Sequence, residues 1–227
     1  MSAPPQCAKC KKAYCLFSPK EEIDRKLLPS FCPIVNYEQI IESAQLMYND
    51  EYIKRIYLAS SITEKKAYEV VRGALMPVYP RIRELIEFCS LIDVKKLGVA
   101  FCTGLHDEAA RVVEVLEESG FSVVSVRCKC GAVDKTKLFV PNEYKIRDPN
   151  KYEAACNPIA QALILNNAGT DLNIIVGLCI GHDILFTMHS KAPVTTLIVK
   201  DRLLGHNPVI ALYSNYHKSI IKPPTKP

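Results

Sequence analysis

The chain is predicted to be an α/β protein: a doubly wound, mostly parallel sheet of about four strands, with a helical N-terminal half and a cysteine-rich N-terminal segment. Three observations predict it. From Lys96 onward, short apolar runs alternate with amphipathic stretches in the order β-α-β-α-β-α-β-α, which implies parallel strands joined by crossover helices. Those runs are apolar almost throughout, as strands covered on both faces are. Before them, apolar residues recur at helical spacing between residues 36 and 93.

Taken in order, residues 1–35 form a cysteine-rich metal-binding segment. They carry Cys7, Cys10, Cys15 and Cys32 among prolines, with too few apolar residues to build a core of their own, so a bound metal would organise them. Residues 36–227 form the α/β domain, helical over 36–93 and Rossmann-like over 94–227. Tyr37, Ile40, Ile41, Ala44, Met47 and Tyr48 mark a first helix. Ser61 or Thr63, with Glu64, is expected to open the next, which runs through Ala67, Val70, Val71, Ala74 and Leu75 until Pro77 and Pro80 end it. Arg81 to Leu91 is a third helix, with Cys89 as a small buried hydrophobe.

The alternating part then reads as strand 97–101, helix 105–119 with Gly120 as its C′ residue, and strand 121–126. A long polar connection, 129–151, leads to helix 159–167, strand 172–178, helix 182–189 and strand 193–199. A last helix covers 208–213, and a polar, proline-rich tail follows.

At 227 residues, 48% of them hydrophobic, the chain fits one ordinary domain or a domain with a small appendage. The net charge of +5 comes from 29 basic and 24 acidic residues, interspersed. No basic stripe exists beyond Lys9–Lys12 and the tail lysines, so no nucleic-acid partner is expected. No apolar run approaches the roughly 18 residues that span a bilayer, and the N-terminus lacks a secretory layout. A cytoplasmic protein is expected, with reduced thiols, so the ten cysteines point to metal or redox chemistry rather than disulfides. There is no G-x-G-x-x-G, P-loop or G-x-S-x-G motif.

In open parallel sheets, ligands bind beyond the carboxyl ends of the strands. The first three strands each deliver a cysteine there, Cys102, Cys128 and Cys179. Cys156 joins them by another route: Asn157 is a natural N-cap and Pro158 an N1 residue, so Cys156 precedes a helix N-terminus. His206-Asn207-Pro208 repeats that arrangement before the last helix, placing His206 toward the same edge. Cys102, Cys128, Cys156 and Cys179 are therefore candidate ligands of an iron–sulfur cluster. Alternatively one of them is a nucleophilic or redox thiol, activated by a helix N-terminus or by Lys129, Lys200 or His182. Plain packing under loops is the bland alternative. Cys130 is a spare or alternate ligand. Cys179, His182, Asp183, Lys200 and His206 are the candidate reacting residues, His182 as proton donor or ligand oriented by Asp183, and Lys200-Asp201-Arg202 as an anion-binding turn.

The N-terminal set reads Cys7-x2-Cys10-x4-Cys15-x16-Cys32-Pro33. The C-x2-C pair suits a tetrahedral thiolate site, but the second knuckle usual for zinc is missing. A closing Cys-Pro is closer to ferredoxin-type ligation, which favours an iron–sulfur cluster, 4Fe–4S, over zinc.

With these motifs assembled, together with Phe101-Cys102-Thr103-Gly104-Leu105, Gly177-Leu178-Cys179-Ile180-Gly181-His182-Asp183 and Val199 to Pro208, the chain resembles a family from archaea and anaerobic bacteria. That family is labelled a domain of unknown function and assigned to metal binding on its N-terminal cysteines. The resemblance covers nearly the whole chain and implies an anaerobic cytoplasmic metalloprotein, without a reaction. The expected function is an iron–sulfur redox protein. Its N-terminal cluster would relay electrons to the sheet-edge site, acting on a small sulfur-containing or anionic substrate or with a redox partner protein. The alternatives are a non-catalytic metal sensor, carrier or insertion protein with a structural zinc, and a thiol transferase using Cys179 or Cys102.

Overall fold

A computed structural model of the chain describes residues 3–221. The chain divides into two compact units, Met1–Ile62 and Thr63–Pro227. In the first unit, short helices α1 (Tyr14–Phe17) and α2 (Pro33–Asn36) precede α3 (Glu38–Met47) and the start of α4 (Glu51–Lys66). Cys32 is the N-cap of α2, with Pro33 in the first turn, where its missing N–H costs nothing. Lys20 and Arg25 both reach Glu38, at 2.7 and 2.6 Å. The bond from Lys20, then that from Arg25, holds this carboxyl at about 2. Buried residues are scarce: among the described residues of this unit, only Ile23 and Ala59 are buried.

Two expectations for the helical half need correction. The second helix opens at residue 51, where Asp50 Oδ1 accepts the N–H groups of Tyr52 and Ile53 at 3.0 Å, and it ends at Lys66. Thr63 lies inside it, buried, and caps nothing. The chain beyond is an antiparallel hairpin, β1 (Tyr68–Val71) and β2 (Ala74–Pro77), not a helix. Arg72 and Gly73 both take positive φ, 53° and 81°, which makes the two-residue turn whose twist suits a hairpin. Tyr68, Val70 and Val71 favour extended backbone beside it.

After α5 (Arg81–Leu91), the predicted alternation is observed. The strands are β3 (Lys96–Phe101), β4 (Ser122–Arg127), β5 (Leu172–Val176) and β6 (Val194–Ile198), and the helices between them are α6 (His106–Glu118), α7 (Pro158–Ala168) and α8 (His182–His189). All pairings are parallel, in the order β4-β3-β5-β6. Helices cover both faces. Phe101 looks toward α6, its ring 6.0 Å from that of His106, while Gly98, three residues earlier and so on the other face, meets Leu165 of α7. Cys89 is fully buried in the core and its thiol is pushed up to about 12 by that burial, as a packing residue should be.

The C-terminal segment differs from expectation. The last predicted helix shrinks to α9 (Ile210–Tyr213), capped by Val209 without a side-chain bond, so Asn207-Pro208 does not repeat the Asn157-Pro158 cap. The tail continues as α10 (Asn215–Ile221), and residues 222–227 lie outside the described residues.

Candidate functional site

The sheet makes its own crevice. From β3 the chain goes outward to β4, then crosses back past β3 to β5. The strand order therefore reverses between β3 and β5, and the loops leaving those two strands diverge. The register puts Phe101 opposite both Arg127 and Val176. The ladder then runs one residue further: Cys102 N–H donates to Val176 O at 3.1 Å and Cys128 N–H to Phe101 O at 2.9 Å. Cys102 and Cys128 are thereby fixed side by side at the rim, with Cys179 three residues past Val176 across the reversal point.

Cys156 arrives as predicted. Asn157 caps α7 by accepting the Ala160 N–H at 3.0 Å, and its own N–H donates to Cys128 O at 2.7 Å. That backbone bond ties the segment before α7 to the end of β4 and leaves the Cys128 and Cys156 sulfurs 3.7 Å apart, sharing a hydrogen bond. Thr103 N–H also donates to Cys128 Sγ, at 3.3 Å, with the Thr103 hydroxyl 3.5 Å away.

The four thiols thus meet but divide into two kinds. Cys128 pairs with Cys156 and is also linked to Cys102. Cys102 and Cys179 each take a cation from the loop after β6: Lys200 Nζ donates to Cys102 Sγ at 2.9 Å, and Arg202 to Cys179 Sγ at 2.8 Å. Lys200 lies over Gly104, where a β-carbon would stand 3.3 Å from its ammonium. Asp201 does not join them; its carboxylate accepts the N–H groups of Leu203 and Leu204 and shapes the turn.

These partners separate the thiols electrostatically. The hydrogen bond it shares with Cys128, with help from Lys129 and against burial, lowers Cys156 to about 7. Cys102 is pushed up to about 12 by its link to Cys128 and by burial, against the pull of Lys200. Cys156 is therefore the first of the two to ionise. Its alkylation by iodoacetamide should rise with pH through about 7, because only the thiolate attacks and a lowered pKa fills that form earlier. Cys89 should stay unlabelled until the protein unfolds. Peptide mapping by mass spectrometry at a series of pH values checks both; a Cys156 midpoint near 9 would contradict the first.

His182 sits half-buried at the start of α8, and burial, then Lys129, lowers its pKa, so its ring is neutral near pH 7. Asp183 accepts the Ile184 N–H at 2.8 Å, a helix-start role. His206 takes φ 66° and its Nδ1 accepts the Asp201 N–H at 3.1 Å, which locks the β6 exit loop. Cys130 is half-buried and donates to Asn157 O at 3.8 Å.

Two residues, Gln161 and Thr103, escaped the sequence reading. Gln161 of α7 is fully buried and donates to Phe101 O at 3.3 Å and Val126 O at 2.7 Å, clamping the ends of β3 and β4 just before the cysteines. A lone amide inside the apolar run from Pro158 to Leu165 is the signal that could have found it. Thr103 carried no such signal.

In the N-terminal segment, Cys7 and Cys15 are exposed and Cys10 and Cys32 half-buried. Four thiols in 26 positions are a donor set whose chemistry fits a thiolate-bound metal. Among the described residues, however, no three His, Cys, Asp or Glu side chains are arranged to hold a metal ion. No helix among them is long and apolar enough to cross a membrane.

A doubly wound α/β sheet with four thiols at its reversal point defines the class. Within it, the chain belongs to the family described as a protein of unknown function (DUF1847), whose model matches residues 32–197. It is 42% identical over 214 residues to an uncharacterized protein, MJ0455, of Methanocaldococcus jannaschii, covering 93% of this chain and 95% of that one. No solved structure matches the chain.

Proposed function

We propose that this is a redox protein whose reacting centre is the thiol-lined crevice at the sheet edge, acting on a small sulfur-containing or anionic substrate. One observation carries the reading: thiols from four separate segments lie at one rim, Cys102 and Cys179 beside Lys200 and Arg202, and Cys128 joined to both Cys156 and Cys102. Thiolate character together with access is what makes cysteines reactive. In this reading Lys200 and Arg202 serve as counter-charges for the thiols and for an anionic substrate, and His182 as a neutral ring able to accept a proton.

Cys7, Cys10, Cys15 and Cys32 would hold an iron–sulfur cluster, which would supply one-electron transfer. The scarcity of buried residues in the first unit supports this, since a segment without a core gains order from a bound metal. Zinc is the alternative ligand for the same thiols. Protein purified without oxygen should contain iron and acid-labile sulfide, both lost in Cys10→Ser and Cys32→Ser and both retained in Cys179→Ser. A colourless protein holding only zinc would remove the electron-transfer part of the proposal.

A second reading has an observation in its favour. Four thiolates around one zinc, with bonds of about 2.3 Å, have edges of about 3.8 Å, close to the 3.7 Å between Cys128 and Cys156. Donors to sulfur such as Thr103 N–H and Arg202 also tune metal-bound thiolates. The crevice would then hold a metal or second cluster, as in a sensor, carrier or insertion protein. Metal that disappears in Cys179→Ser, with the fold intact, would select it.

A further inference from the structure

We propose that Cys128 and Cys156 are a redox-active dithiol that reduces small disulfides carrying acidic groups, with Cys156 as the attacking thiol and Cys128 as the resolving one. This rests on the reading of the crevice as a thiol reaction site and assigns roles within it.

The pair is already placed for the bond it must form. The sulfurs are 3.7 Å apart, and the Asn157 N–H to Cys128 O bond holds the two backbone segments together. Closing that gap to a disulfide of roughly 2.05 Å needs a movement that side-chain rotation supplies. The roles follow from access. Cys128 is 2% exposed, while Cys156 is half-buried and opens toward solvent ahead of α7, beside Lys129. An incoming disulfide therefore meets Cys156 first. Cys128 lies behind it, with Thr103 N–H at 3.3 Å to stabilise the sulfur as it becomes an anion.

The chemistry balances. Cys156 thiolate attacks one sulfur of R–S–S–R, a new S–S bond forms, the old one breaks, and RS⁻ departs with the electron pair. Cys128, giving up its proton to a leaving thiolate or to water, then attacks Cys156 Sγ and expels the second RS⁻. Two protein thiols lose two electrons and two protons, and the substrate becomes two thiols. Lys129, Lys200 and Arg202 around the crevice give it the charge that favours acidic R groups.

The test uses the full-length protein, reduced and kept from oxygen, mixed with one equivalent of 5,5′-dithiobis(2-nitrobenzoate). Release of two thiolates per disulfide consumed, with a Cys128–Cys156 linkage found by peptide mapping, is the expected result. Cys156→Ser should abolish the linkage and slow release at least tenfold. Cys128→Ser should release one thiolate and keep a mixed disulfide on Cys156. The wild-type mapping stands even if that variant fails to fold. Compared with their rates toward free cysteine, the acidic probe should react at least tenfold faster than cystamine; equal ratios would remove the acidic class. A disulfide or label on Cys102 or Cys179 instead would overturn the dithiol while leaving a reactive crevice. No preference for any of these four over Cys7 and Cys15 would overturn both readings.

Discussion

Replacing Gly177 with alanine should lower folding stability by about 2–5 kcal/mol. Two penalties add. Gly177 has φ 67°, the left-handed region that costs an L-residue roughly 1–2 kcal/mol. A β-carbon there would also stand 2.5 Å from Leu105 Cδ2 and 2.8 Å from Cδ1. Leu105 is fully buried and has nowhere to retreat, and overpacking of this kind costs about 1–3 kcal/mol. The consequence reaches the site, because Leu105 N–H donates to Cys102 O at 2.8 Å and anchors the turn carrying Cys102. Urea unfolding should show a lower midpoint with an unchanged slope. A loss under 1 kcal/mol would mean that Leu105 moves freely and that this anchor is loose.

Gly98→Ala should cost about 3 kcal/mol or more, for a different reason. The backbone there is ordinary, but the added β-carbon would lie 2.0 Å from Asn173 Oδ1 and 2.9 Å from Leu165 Cδ1. Asn173 is fully buried; it accepts from Thr170 Oγ1 and donates to Ser190 Oγ, both at 2.8 Å. Displacing it strands buried polar groups, at roughly 1–3 kcal/mol each. The double variant Gly98→Ala/Asn173→Ala removes the colliding amide, so its loss should fall short of the two single losses added together. Strict additivity, measured by the same unfolding curves, would show that the collision is not the cause.

The parallel half of the chain was legible because its signals are local and mutually consistent. The run Leu172–Val176 reads as a fully buried strand, and it is, as β3 nearly is, whereas the edge strands β4 and β6 are only partly covered. Asn157-Pro158 announced the start of α7, and the cap is made. The hairpin at 68–77 was missed because Val70, Val71, Ala74 and Leu75 also fit a helical stripe. Only the left-handed turn at Arg72-Gly73 distinguishes the two. His206-Asn207-Pro208 looked like a second cap, but here the His206 ring binds back to Asp201 and the helix starts further on.

By itself, the sequence determined that Cys102, Cys128, Cys156 and Cys179 would come to one edge, since strand ends and a capped helix start are set by local pattern and parallel pairing. Which thiol pairs with which was decided only by the tertiary structure. The 3.7 Å contact of Cys128 with Cys156 comes from a backbone bond between the end of β4 and the residue before α7. The cations on Cys102 and Cys179 come from a loop 98 and 23 residues away. Those separations leave no trace in local periodicity, because packing of the crossover helices and the curl of the β6 exit loop fix them.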